Sequence, residues 1–239
     1  MRFHVWRILV AGIFVLALGA QSTADWRNYV WTFQYQTMGR GKAEVQPYFT
    51  LSTPDMNDPK DKVTAEHQLS LQIGMNERYE FTGYQIFSQA PGEALRYDGF
   101  KLRWRYRLSD KGQFVTDPTI FVQYTGTPDF SEHVAELRLV LSRDFGKTNV
   151  TLNPIVDFSG NGDWQTKAAY TAGVSRQIAR VLKIGVEFMG SEDGHYIGPV
   201  IAHGRSNLWV ALGSAFKLGN VDDGQPEFQV RLIEGIGLF

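Results

Sequence analysis

Residues 100–108 read Phe100-Lys101-Leu102-Arg103-Trp104-Arg105-Tyr106-Arg107-Leu108, and apolar and cationic side chains alternate strictly along them. Successive side chains of a β-strand point to opposite faces, whereas the helical period of about 3.6 residues would distribute both kinds around the axis. The stretch therefore predicts a strand with one apolar and one cationic face. In a soluble barrel the apolar face would point inward, whereas in a transmembrane barrel it would face lipid.

The composition favours an exported β-protein. The chain of 239 residues contains no cysteine, 13% of its residues are aromatic, and its formal net charge is −1. A charge so close to neutral argues against a nucleic-acid partner. The absence of cysteine excludes disulfides, thiolate metal sites and a cysteine nucleophile.

Residues 1–24 have the three parts of a signal peptide. Arg2 and Arg7 form a positive n-region, residues 8–20 an apolar core, and residues 22–24 (Ser-Thr-Ala) a small-residue cleavage site. The core of about 13 residues is shorter than the roughly 20 residues of a transmembrane helix. We therefore expect cleavage after residue 24, with an uncleaved anchor as the alternative.

Further segments continue the alternation, and turn signals separate them. Together they give twelve predicted strands: Lys42–Thr53, Glu66–Gly74, Arg78–Phe87, Phe100–Leu108, Pro118–Thr125, His133–Ser142, Asn149–Phe158, Lys167–Ser175, Leu182–Met189, Tyr196–Ala202, Leu208–Leu218 and Phe228–Phe239. Segments of about ten residues are typical of transmembrane barrels, whereas strands in soluble sheets average about five or six. In the last segment the alternation slips at Leu232-Ile233, which predicts a bulge.

Residues 28–36 also alternate and would make a thirteenth strand. Bacterial outer-membrane barrels have an even number of strands. We therefore expect residues 25–41 to be a periplasmic lead-in, or a segment tucked into the base of the barrel. The sequence thus predicts an all-β fold, an antiparallel transmembrane β-barrel over residues 42–239 behind a cleaved signal peptide. Twelve strands are favoured, with ten or fourteen as alternatives.

The sequence also resembles a known class of barrels. It ends on Leu238-Phe239, and short strand-turn stretches, Gly41–Val45, Met75–Glu80 and Leu141–Lys147, resemble porin-like transporter barrels of the Gram-negative outer membrane. This resemblance implies an outer-membrane location, contact with membrane lipids and lipopolysaccharide, and recognition of Phe239 by the barrel-assembly machinery. A soluble periplasmic β-protein is the alternative.

If the apolar faces meet lipid, the polar faces line the lumen. The predicted pore-lining residues are Glu80, Lys101, Arg103, Arg105, Arg107, Glu136, Arg138, Lys183 and Glu187. The cationic row on residues 100–108 would favour small anionic solutes by lowering the electrostatic barrier to their entry. We therefore expect a porin-like channel or transporter for small solutes. Because buried charges are normally paired, a closed structural or adhesive barrel with a salt-bridged lumen is the alternative.

An outer-membrane enzyme is the least favoured function. Outer-membrane phospholipases and lipid A deacylases place a His two residues before a Ser, and no His-x-Ser occurs here. Met and His residues do not cluster as a copper site requires. Residues 55–61 are acidic but lack the spacing of a calcium-binding loop. We therefore expect no catalytic residues, no cofactor and no metal.

The cationic row leads to a first prediction. Replacing Arg103 and Arg105 with Gln should reduce the anion preference of the conducting protein, because it removes two of the charges that attract anions. The reversal potential in a salt gradient measures this preference. An unchanged reversal potential in a conducting double variant would refute the assignment.

Overall fold

The computed structural model describes residues 27–205, 207–219 and 224–238, so the predicted signal peptide and Phe239 lie outside the described residues. The predicted twelve-stranded antiparallel barrel is confirmed. The strands are β1 (Ala43–Thr53), β2 (Thr64–Gly74), β3 (Tyr79–Gln89), β4 (Arg96–Arg107), β5 (Asp117–Gly126), β6 (His133–Phe145), β7 (Thr148–Asn161), β8 (Asp163–Ala179), β9 (Leu182–Ser191), β10 (Gly194–Arg205), β11 (Leu208–Leu218) and β12 (Phe228–Gly237). No helix in this part of the chain has the length and apolar character needed to cross a bilayer.

The first and last strands close the sheet. Val45 of β1 lies opposite Leu71 of β2 on one side and Ile236 of β12 on the other. Each remaining strand pairs with its two neighbours in sequence. Closure leaves no strand edge without a partner, which matters because an unpaired backbone group in hydrocarbon is costly.

The alternation along each strand fixes the orientation of its two faces. On β6, Leu137 and Leu139 are exposed, the latter by 38%, whereas Arg138 and Val140 are buried. Apolar side chains therefore form an outward belt while polar side chains point inward, as in transmembrane barrels.

The bulge predicted at Leu232-Ile233 is wrong. The pairing of β12 with β1 and β11 runs through both residues without a shift, and the register shifts lie between β3 and β4 and between β8 and β9. The sequence alternation slips there because apolar Ile233 points inward, into a buried cluster with Tyr29 and Trp209. Glu234, the next residue, takes the outward register.

We call the two ends of the barrel proximal and distal, according to where β1 begins and ends. At the proximal end β1 begins at Ala43 and β12 ends at Gly237. At the distal end β1 is connected to β2 by residues 54–63. This loop contacts the connection that precedes β12, since the backbone N–H of Met56 donates to Glu227 Oε2 at 3.0 Å.

The orientation of the belt can be tested at Leu139, in the middle of β6. Leu139→Arg should lower the free energy of unfolding in lipid vesicles by about 2–4 kcal/mol, the cost of an arginine facing the bilayer centre. Phe145→Arg at the exposed end of β6 is the matched control and should cost about 0–1 kcal/mol. Denaturant titration of the refolded proteins measures both, and equal costs would contradict the outward orientation of Leu139.

Candidate functional site in the barrel interior

A segment without regular secondary structure, residues 27–42, precedes β1 and lies inside the barrel. Its residues Tyr29, Val30 and Thr32 are almost completely buried. Tyr29 and Val30 belong to the apolar cluster that also contains Ile233. The segment therefore fills part of the lumen; we call it the inner segment.

Glu187 of β9 binds the backbone of the inner segment. Its Oε2 accepts from the N–H of Val30 at 2.9 Å, and its Oε1 accepts from Trp31 at 3.0 Å and Thr32 at 2.7 Å. Three consecutive N–H groups thus converge on one buried carboxylate. Hydrogen bonds to a charged acceptor are shorter and stronger than neutral ones, so these three contacts stabilise the carboxylate form of Glu187 and tie the segment to β9.

Asn153 of β7 pairs with the backbone of Phe33 in both directions. Its Oδ1 accepts from the Phe33 N–H at 2.8 Å, and its Nδ2 donates to the Phe33 carbonyl at 3.0 Å. Four residues earlier on β7, and closer to the proximal end, Asn149 Oδ1 accepts a hydrogen bond from the Tyr29 hydroxyl at 2.9 Å. Neither role was predicted from the sequence, because alternation places the two asparagines on the polar face of β7 but does not reveal their partners.

Arg105 and Thr119 bind the next part of the inner segment through its carbonyls. Arg105 Nη2 donates to the carbonyls of Gln34 and Gln36, the latter at 2.7 Å. Thr119 Oγ1 donates to the Tyr35 carbonyl at 2.8 Å. Three successive carbonyls without a strand partner are thus satisfied by the wall, as buried backbone groups require.

The inner segment leaves the lumen at the proximal end. Met38 N–H donates to Glu80 Oε2 at 2.6 Å, and the N–H of Gly41 donates to the carbonyl of Gly74 at 2.9 Å. Gly41 has a φ of 72°, in the left-handed region that glycine adopts without a Cβ clash. This residue turns the chain from the interior into β1.

The phenyl ring of Phe33 lies among the guanidinium groups of four arginines. We call these four groups the guanidinium cluster. Their Cζ atoms lie 4.2 Å (Arg27), 4.8 Å (Arg103), 5.0 Å (Arg138) and 5.4 Å (Arg105) from the ring centroid. All four distances are within the roughly 6 Å over which a cation is attracted to an aromatic face. The inner segment thus places an aromatic ring where the wall concentrates positive charge.

Carboxylates balance the guanidinium cluster only in part. Glu80 Oε1 lies 2.9 Å from Arg105 Nη1 and 3.9 Å from Arg103 Nη2, and Glu136 Oε1 lies 2.8 Å from Arg138 Nε. The fourth guanidinium donates instead to a tyrosine hydroxyl at 3.0 Å. Within the described part of the chain, two carboxylates lie at ion-pair distance from three of the four guanidiniums, which leaves the ion pairs of the cluster with a positive excess.

The remaining predicted pore-lining residues lie away from this cluster. Lys183 Nζ donates to Asn28 Oδ1 at 2.6 Å, on the side of the lumen that carries β9. Arg107, at the end of β4, donates to the carbonyl of Glu77 in the neighbouring turn. Lys101 is half-buried and lies further towards the distal end. The structure therefore brings together Glu80, Arg103, Arg105, Glu136 and Arg138, and it uses Glu187 for the inner segment.

A polar cavity adjoins the guanidinium cluster at the proximal end. It has a volume of about 370 Å³, and its lining includes Arg27, Phe33, Glu44, Arg105 and Arg107. Ligand pockets in proteins start at about 300 Å³, so the cavity can hold a small solute. Among residues 27–205, 207–219 and 224–238, no three His, Cys, Asp or Glu side chains are grouped to hold a metal ion.

Comparison with known proteins places the fold. No family model and no curated protein matches the sequence. An outer membrane channel from Pseudomonas putida F1 has a similar structure, with a TM-score of 0.65, 13% identity, and coverage of 88% of this chain and 100% of that one. The NanC porin gives a TM-score of 0.58 at 10% identity, covering 82% and 100%. The predicted resemblance to porin-like outer-membrane barrels is thus confirmed at the level of the fold.

The binding of the inner segment by Glu187 can be tested by hydrogen exchange. Glu187→Ala should speed exchange of the amides of residues 30–32 by about tenfold or more, since a hydrogen bond to a charged group contributes about 1.5–3 kcal/mol. Mass spectrometry of the folded protein in detergent measures the rates. Glu234→Gln, on the outward face of β12, is the matched control. Equal exchange in both variants would mean that Glu187 does not hold the segment.

Proposed function

We propose that this protein is an outer-membrane channel for small solutes, in which the inner segment occludes the lumen and shifts to open it. The observation that carries the proposal is the way the lumen is filled. Its filler is a separate stretch of chain that individual polar side chains of the wall, such as Glu187 and Asn153, hold by hydrogen bonds. Water can replace these hydrogen bonds one at a time. A lumen filled by closely packed side chains of the wall would not open in this way.

We propose that the channel prefers anions. A solute that passes the inner segment meets the guanidinium cluster, where two carboxylates form ion pairs with three of the four guanidiniums. An unbalanced positive charge in a narrow lumen lowers the barrier to anions and raises it for cations. The charges of Lys101 and Arg107 continue the cationic row of β4 towards the two ends of the barrel.

We further propose how the barrel sits in the cell. Residues 1–24 direct export, the barrel-assembly machinery recognises Phe239, and the apolar belt contacts outer-membrane lipids and lipopolysaccharide. The proximal end then faces the periplasm, because both termini of such barrels lie there. The protein acts without chemical catalysis.

A closed structural barrel is the second candidate. The observation that favours it is the degree of internal pairing, since Glu80, Glu136 and Glu187 all have close partners. In that case the inner segment would be a permanent part of the core. The two functions differ in whether the barrel conducts ions.

Recordings of the wild type separate the two candidates, because a channel conducts intermittently whereas a closed barrel stays silent. Deletion of residues 27–38 then tests whether the inner segment limits the current. We expect the variant to give stable single-channel currents several-fold larger than the intermittent currents of the wild type, because the lumen loses its filler. Planar-bilayer recordings measure the conductance, and the reversal potential in a salt gradient measures the anion preference. The shift of the band with heating on gel electrophoresis verifies that the variant is folded.

The full-length Glu187→Ala protein provides a second test that leaves the chain intact. It should open more often than the wild type, whereas the outward control Glu234→Gln should not. A folded wild-type protein that stays silent while the deletion variant conducts would refute the channel and favour the closed barrel.

A further inference from the structure

Phe33 does not behave as an ordinary apolar core residue. Apart from the four guanidiniums, its ring meets the ring of Phe121 on β5, with centroids 5.0 Å apart and planes at 56°. Phe121 is itself in contact with two of the same cations, since the Cζ atoms of Arg138 and Arg103 lie 4.8 Å and 5.7 Å from its centroid. The wall thus presents a pocket of guanidinium groups and one aromatic ring, and Phe33 fills it.

Two nitrogens of the Arg103 guanidinium lack hydrogen-bond acceptors, which the ring of Phe33 does not provide. The Arg103 side chain is 1% exposed, and only Nη2 makes hydrogen bonds, to Thr82 Oγ1 at 2.9 Å and Gln72 Oε1 at 3.3 Å. The buried Nε and Nη1 atoms have no hydrogen-bond partner among the residues that the structure describes. Buried donors are nearly always hydrogen-bonded, and a charged donor has the strongest need for a partner. A phenyl ring offers a π face to these groups but no acceptor.

Two properties therefore define the ligand that would complete the pocket. An aromatic ring would reproduce the contacts of Phe33 with the cations and with Phe121. A carboxylate on that ring would accept hydrogen bonds from Arg103 and offset the positive excess of the cluster, because guanidinium and carboxylate are complementary in charge and in hydrogen bonding.

We infer that the guanidinium cluster and Phe121 form a binding site for a small aromatic carboxylate, and that Phe33 of the inner segment occupies this site in its place. As a statement about the solute that passes, the inference rests on the channel function proposed above. As a statement about a binding site, it stands without conduction. The cavity at the proximal end gives access, since Phe33, Arg27 and Arg105 line it.

Occupation by Phe33 makes the aromatic carboxylate a competitor of the inner segment. When the ligand binds, the Phe33 ring must leave, which loosens the contacts of the Phe33 backbone with Asn153 and of the Gln36 carbonyl with Arg105. A solute of the right class would thus open its own path, because it binds better to the displaced state than to the occluded one.

The site is tested by titrating the full-length mature protein in detergent with benzoate. Phe33→Ala vacates the ring position, and Phe49→Ala, which truncates an outward phenyl ring on β1, is the matched control. We expect Phe33→Ala to bind benzoate about tenfold more tightly than the control and the wild type, since Phe33 no longer competes. Isothermal titration calorimetry measures the affinities.

Two further ligands separate the contributions of ring and charge. Cyclohexanecarboxylate has the charge without the π face, and benzyl alcohol has the π face without the charge. Each should bind Phe33→Ala about tenfold more weakly than benzoate, and Phe33→Ala/Arg103→Gln should lose benzoate affinity by a similar factor. Three results would overturn the inference: cyclohexanecarboxylate binds Phe33→Ala as tightly as benzoate, benzyl alcohol does so, or Phe33→Ala binds benzoate no more tightly than Phe49→Ala.

Wild-type protein provides the test if Phe33→Ala does not fold. Benzoate should speed hydrogen exchange of residues 30–36, and cyclohexanecarboxylate should not; identical exchange with both would also overturn the inference. Bilayer recordings distinguish this failure from failure of the channel. Benzoate binding to a silent barrel would refute conduction and leave the site, whereas conduction without benzoate binding would do the reverse.

Discussion

The polar groups that point into the lumen of a closed barrel need hydrogen-bond partners there, and here the backbone of the inner segment supplies many of them. The carboxylate of Glu187 receives three backbone N–H groups, and Arg105 donates to carbonyls of the same segment. Wall and segment are therefore mutually dependent. Without the segment these buried charges would need water, and without the charges the segment would have no partner for its backbone.

The same dependence explains how a filled interior is compatible with the channel that we propose. A lumen filled by apolar side chains would be fixed by close packing. A lumen filled by hydrogen bonds between charged side chains and an irregular backbone can rehydrate, because water replaces each partner directly. Phe33 differs from the hydrogen-bonded part of the segment, since its ring is held by cations and an aromatic ring.

The sequence predicts the barrel well because alternation is a local property. Residues 100–108 alternate, and the structure confirms a strand there with Arg103 and Arg105 pointing inward. Prediction fails where tertiary context reverses the local pattern. Ile233 is apolar yet points inward, because the inner segment brings its own apolar residues into the lumen.

The inner segment shows the other limit of local patterns. Residues 28–36 alternate like a strand, but β1 and β12 close the barrel without them. Their backbone instead takes its partners from side chains such as Asn153, whose role depends on the position of the segment within the fold. No spacing in the sequence records that position. The candidate site was therefore predictable as a set of inward charges, but not as an occupied pocket.

The proposed channel requires that the inner segment controls the lumen, and this control can be tested directly because the natural chain has no cysteine. A Cβ placed on Gly213 of β11 would lie 2.5 Å from Val30 Cγ2, so Val30→Cys/Gly213→Cys can tether the segment to the wall. The measurement is single-channel current before and after reduction. We predict silence when the disulfide is formed and conduction when it is reduced. Equal current in both states, or no current in either, would contradict the account.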